Sequence, residues 1–115
     1  MQKDKSGWAQ QTLGTLHKMS PLSLKVTLEQ MRQGAVKTCA ECFEMEYRIS
    51  SRMMENPDFY EGVRAKIIDK TNSPHWHFKD VAQINKAAVD KFFTPLPEDQ
   101  ELVLYSEEAA ENETK

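Results

Sequence analysis

The sequence predicts an all-α fold of four to six short amphipathic helices, and three observations predict it. Large apolar residues recur at spacings of three and four along several segments, Ser and Thr caps and prolines mark where segments start, and no stretch alternates with period two or repeats internally. Composition sets the scale. A chain of 115 residues allows one domain at most, with a modest core, and its hydrophobic fraction of 39% stands beside 29% charged residues. Part of that polarity sits at the ends, which divides the chain into a disordered lead (1–6), a helical region (7–97) and an acidic, mostly disordered tail (98–115) ending in Glu107, Glu108, Glu111 and Glu113. The net charge of −3, with Lys and Arg spread along the chain, gives no footprint for nucleic acid. No apolar run approaches the roughly 20 residues that a membrane span needs.

The first helix is expected over 8–17, where Trp8, Leu13 and Leu16 fall at helical intervals. The second opens on Ser20 as N-cap with Pro21 at the first helical position; Leu24, Leu28 and Met31 form its stripe, and Gly34 suits the residue just past its end. Thr38 and Glu41 make a capping box for the third, which runs to about Glu55. It carries Phe43, Tyr47 and Met54 on one side and Cys39, Cys42, Ile49 and Met53 on the other, a wide apolar face that calls for more than one packing partner. Asn56-Pro57-Asp58 breaks that helix and starts the fourth, whose stripe is Phe59, Val63 and Ile67. Thr71-Asn72-Ser73-Pro74 stops it, and Trp76 follows as an apolar anchor. Two short helices are expected over 78–84 and 86–93, after which Pro95 and Pro97 close the folded part.

Some side chains admit a functional and a plain reading. Cys39-x-x-Cys42 at a helix start has redox spacing, but a thioredoxin-like role needs a preceding strand that the sequence lacks. Zinc would need His75 and His77 as well, and these are one residue apart where about three to five is usual. The plain reading is two small apolar residues on a buried helix face. Glu46 is either catalytic or a partner for an arginine or a helix end; a lone carboxylate is not a site, which favours the second. His17, His75 and His77 read as surface or turn residues. No metal site is expected.

Three blocks carry a resemblance. Lys18-Met19-Ser20-Pro21-x-Ser23-Leu24-Lys25-Val26-Thr27-Leu28, Met45-Glu46-Tyr47-Arg48-Ile49-Ser50 and Asp58-Phe59-x-Glu61-Gly62-Val63-Arg64-Ala65-x-x-Ile68-Asp69-Lys70-x-x-x-Pro74-x-Trp76 stand in series. Over roughly residues 7–93 the chain resembles the C-terminal helical region of 3-hydroxyisobutyryl-CoA hydrolases, a branch of the crotonase (enoyl-CoA hydratase/isomerase) superfamily. The resemblance implies the helical part of a crotonase-like fold without its ββα spiral core. In the family that core holds the thioester, the oxyanion hole and the catalytic carboxylates, so no catalytic residue is expected in this chain, which would be a fragment, inactive alone.

The complete form would hydrolyse an acyl-CoA thioester in valine breakdown. Enoyl-CoA hydration or isomerisation is the second enzymatic reading, and a non-catalytic interaction or scaffold module the third. Coenzyme A would enter as part of the substrate, with no other cofactor. The resemblance further implies that Lys70, with Lys66 as second candidate, lies beside the adenosine phosphate of coenzyme A; the plain reading of Lys70 is a solvated lysine favoured by a helix C-terminus. The expected partners are the N-terminal catalytic portion, an acyl-CoA and other copies of the chain, since helix faces that lose the core would be orphaned. The compartment would be the mitochondrial matrix in a eukaryote and the cytoplasm in a bacterium.

Overall fold

Each helix begins where a short polar side chain replaces the hydrogen bonds that a helix start lacks. In the computed structural model, which describes residues 5–104, Ser6 accepts the Ala9 N–H at 3.2 Å and opens α1 (Gly7–Leu16). Ser20 accepts the Ser23 N–H at 3.3 Å and, with Pro21 behind it, opens α2 (Pro21–Gly34). The Thr38 and Glu41 capping box forms in full and opens α3 (Cys39–Met53). Asn56 accepts the Asp58 N–H at 2.9 Å and starts α4 (Pro57–Val63). That helix widens into a π-helical turn over Arg64–Ile68, closed by the Asp69 N–H on the Arg64 carbonyl at 2.7 Å. A 3₁₀ turn (Val81–Gln83), the short α5 (Lys86–Asp90) and a second 3₁₀ turn (Lys91–Phe93) complete the chain. The described residues contain no strand, and no helix among them is long and apolar enough to cross a membrane. Residues 1–4 of the expected lead and 105–115 of the expected tail lie outside the described residues.

One core holds α2, α3 and the 84–93 region together: Leu22 and Val26, Met45 and Ile49, then Ile84, Val89 and Phe92, all buried, with Met53, Phe78 and Phe93 packed against them. Lys25 adds a tie by donating to the Ile84 carbonyl at 2.7 Å. The segment after Phe93 is strapped to the side of α3. Arg52 donates to Thr94 and to the Pro95 carbonyl, and Arg48 Nε grips both oxygens of Glu101 at 2.8 and 3.1 Å. Glu101 also accepts the Leu96 N–H, so one carboxylate fixes both ends of the turn between them. Its pKa is held below the usual carboxylate value by the Arg48 guanidinium first and the Leu96 N–H second.

The helical stripes face differently from the expected ones. In α2 the buried residues are Pro21, Leu22 and Val26, while Leu28 and Met31 are 49% and 69% exposed. In α3, Met45 and Ile49 face the core, whereas Phe43, Tyr47 and Met54 are exposed and so is Cys39. The pattern identified apolar faces correctly but each helix has two, and the core takes only one. Phe59 and Ile67, expected to pack, are likewise 45% and 66% exposed. Gly34 is the last residue of α2, not a left-handed residue beyond it, and no described glycine has positive φ. The expected helix over 78–84 shrinks to the turn at 81–83, because Asp80 caps Ala82 and Gln83 accepts the Lys79 N–H, which spends the local bonds on loop geometry. Glu46 meets Gln30 rather than an arginine. The radius of gyration, 17.9 Å, exceeds the roughly 13 Å expected of a compact chain this size.

Candidate functional site

The longest of the sequence blocks builds a groove. Asp58 is 4% exposed although charged, and it is satisfied from two sides: the Ser20 hydroxyl donates to its Oδ2 at 2.6 Å and the His77 N–H donates to its Oδ1 at 2.8 Å. That carboxylate therefore joins the start of α2, the start of α4 and the returning loop at one point. Trp76 makes a second joint, its Nε1 donating to the Lys18 carbonyl at 3.2 Å. The indole lies against Gly62 so closely that a Cβ there would meet the ring at 3.2 Å. Glycine in mid-helix, which costs about 1 kcal/mol against alanine, is explained by this approach.

Between these joints runs a groove of about 500 Å³. Phe59, Val63 and Ile67 of the fourth helix form one wall, Met19, Pro74 and Trp76 the other, and Lys18 and Lys66 stand on its rim. Among the described residues, neither lysine is in an ion pair. Arg64, by contrast, is taken up on the opposite side by Glu61 and by Asp69 at 2.7 Å. Glu61 is held below its usual pKa, chiefly by its hydrogen bond from Arg64, and the Arg64 pKa is raised in return, chiefly by Glu61. The groove can thus receive an apolar chain along its walls and an anionic group at its rim. Asp58, the carboxylate on its lining, has both oxygens engaged in holding the fold.

Of the two nominated lysines, Lys66 lines the groove and Lys70 does not. Lys70 is exposed in the left-handed region, at φ 55°, as is Asn72, in a turn pinned by the Asn72 N–H on the Ala65 carbonyl at 2.9 Å. For lysine that conformation costs on the order of 1 kcal/mol. Lys18 was not among the expected site residues; its place in the first resemblance block was the available signal. The Cys39 and Cys42 pair stays at the start of α3, Cys42 Sγ lying 3.9 Å from the Gly34 carbonyl. No group of three or more His, Cys, Asp or Glu side chains that could hold a metal ion occurs among the described residues. His17, His75 and His77 are all exposed.

Comparison with known proteins gives a consistent picture. The family model described as enoyl-CoA hydratase/isomerase matches residues 1–93. A mitochondrial 3-hydroxyisobutyryl-CoA hydrolase of Dictyostelium discoideum is 48% identical over 100 residues, 86% of this chain and 26% of that protein. The Homo sapiens protein of the same name is 43% identical over 96 residues, 84% of this chain and 25% of its own length. The crystal structure of an enoyl-CoA hydratase from Rhodobacter sphaeroides superposes with a TM-score of 0.81 at 34% identity, covering 90% of this chain and 31% of that one. The chain spans about a quarter of the length of the curated relatives it matches.

Proposed function

This chain belongs to the enoyl-CoA hydratase/isomerase family, and from that premise we propose that it is the helical C-terminal part of a 3-hydroxyisobutyryl-CoA hydrolase-like enzyme. The observation that carries the reading is the 48% identity to the Dictyostelium discoideum hydrolase over 100 residues. The whole enzyme cleaves an acyl-CoA thioester. Alone, this part is inactive, because thioester cleavage needs converging donors for an oxyanion and a free carboxylate or equivalent base beside it. The exposed apolar stripes Leu28 and Met31, Phe43 and Tyr47, and Phe59 and Ile67 support the reading as faces that seat the rest of the enzyme or another subunit.

Lys66 and Lys70 are proposed to meet the phosphates of coenzyme A, which enters as part of the substrate with no resident cofactor. The unpaired state of Lys66 at the groove rim supports its role, and the exposed left-handed turn supports that of Lys70, whose flexible stem suits a point charge on phosphate. In a eukaryotic source the compartment is the mitochondrial matrix, as the relatives' names suggest. Enoyl-CoA hydration is the second reading, favoured by the likeness to the Rhodobacter sphaeroides hydratase. The hydrolase reading is tested by combining this chain with the Dictyostelium discoideum hydrolase from which the matching 100-residue stretch has been removed, and assaying 3-hydroxyisobutyryl-CoA cleavage. Recovery of cleavage supports the reading, and no recovery from parts that fold and bind one another overturns it.

A further inference from the structure

Three of the five prolines follow a hydroxyl side chain, at Ser20-Pro21, Ser73-Pro74 and Thr94-Pro95. A serine or threonine before proline is the pattern that proline-directed protein kinases read, and the fold treats the three differently. Ser20 is 6% exposed, and its hydroxyl donates to Asp58 at 2.6 Å while capping α2. Thr94 is exposed, but its hydroxyl donates to the Lys91 carbonyl at 2.8 Å and accepts from Arg52 Nη2 at 3.2 Å. In both, the oxygen that would attack a phosphorus is already held by the fold. Ser73 is exposed, and its hydroxyl approaches the Thr71 carbonyl of its own turn at 3.4 Å, beyond the ordinary length of an O–H···O bond. Pro74 also keeps Ser73 out of the helical region of backbone space. From Ser73 to Phe78 exposed residues alternate with the less exposed Pro74, Trp76 and Phe78, so the segment presents the extended backbone that a kinase cleft takes.

We propose that Ser73 is a phosphorylation site for a proline-directed kinase and that its phosphate weakens ligand binding in the groove. The Ser73 oxygen attacks the γ-phosphorus of a magnesium-bound nucleoside triphosphate, the bond from that phosphorus to the nucleoside diphosphate breaks, and the hydroxyl proton passes to the kinase's catalytic aspartate. The fold tolerates the change, because the Ser73 hydroxyl and N–H both meet Thr71 inside the same turn. Asn72 and Pro74, on either side of Ser73, line the groove whose rim carries Lys18 and Lys66. Phosphoserine places about −1.5 to −2 charges at that edge at pH 7. This effect rests on the reading that the groove's lysine meets the phosphates of coenzyme A: the added anion repels them and draws on the same lysines.

The test is incubation of the 115-residue chain with magnesium ATP and a proline-directed kinase, location of the phosphate by mass spectrometry, and NMR titration of both forms with coenzyme A. Phosphate is expected on Ser73 ahead of Thr94 and Ser20; Ser73→Ala should remove it and Thr94→Ala should leave it. Coenzyme A should bind the phosphorylated form about fivefold more weakly, the effect of an exposed charge pair, and added salt should shrink the difference. Phosphate on Thr94 or Ser20 in preference to Ser73, or on none of the three, would overturn the site. Equal binding of coenzyme A by both forms would overturn the effect on the groove. Phosphate on Ser73 with coenzyme A bound by neither form would support the site and contradict the coenzyme A reading of the groove instead.

Discussion

Ser20 and Asp58, 38 positions apart in sequence, meet through a 2.6 Å hydrogen bond in which the hydroxyl donates to a buried carboxylate while its oxygen still caps α2. One small side chain thus performs a local task and a long-range one. The same carboxylate takes the His77 N–H, so the three parts of the groove depend on a single residue.

Ser20→Ala is expected to cost about 2 kcal/mol, since it removes an N-cap and leaves one oxygen of a buried carboxylate short of a donor. Asp58→Ala should cost about 3 kcal/mol and loosen the 74–77 loop as well. Urea unfolding followed by circular dichroism checks both, and the double variant should cost less than the two losses added together.

Gly62→Ala sets two effects against each other. Alanine favours the helix by about 1 kcal/mol, but its Cβ would press the Trp76 ring. The expected result is little net gain, with a change in tryptophan fluorescence as the indole shifts. In a Trp76→Phe background the same substitution should recover most of the helix gain. A full gain with Trp76 present, and no spectral change, would count against the close contact.

The Arg48 and Glu101 pair makes the strap sensitive to acid. Because the folded-state pKa of Glu101 lies below its ordinary value of 4.5, the pair's contribution is present above that value and is lost as pH falls through the lowered one. Glu61 and Glu41 are lowered too and act in the same direction. Acid titration of the amides of Leu96 and Glu101 by NMR should show the strap releasing below pH 4.5, and Glu101→Gln should remove that step while leaving the α2 and α3 core signals in place.

The sequence was most legible where one residue decides one local event. The caps Ser20 and Thr38 each opened a helix as their side chains dictate, and the Asn56-Pro57-Asp58 break placed the start of α4. It was least legible where the outcome depends on what lies beyond the helix. Leu28 and Met31 have the right period for burial, yet periodicity says only that a face is apolar, not which neighbour covers it. The π-helical turn was also hidden: it coincides with Arg64 pairing with Asp69 five residues on and with a buried Ala65, neither of which a helical wheel shows. In the groove, the stripe Phe59, Val63 and Ile67 came from the pattern and Lys66 from the resemblance, whereas Lys18 entered through a carbonyl bond to Trp76 across 58 positions that no local rule anticipates.

The exposed stripes lead to an expectation for the isolated chain. Apolar surface of this extent should drive concentration-dependent self-association, reduced by Met31→Glu with Phe59→Glu. Sedimentation velocity over a tenfold range of concentration checks it, and a monomer throughout would show that those faces do not self-associate.

The most direct test of the central claim is the cleavage of 3-hydroxyisobutyryl-CoA by the truncated Dictyostelium discoideum hydrolase with and without this chain. The account predicts no cleavage by either part alone and measurable cleavage by the two together, weakened when Lys66 is changed to Ala. Absence of cleavage from two parts that are each folded and that bind one another would contradict it.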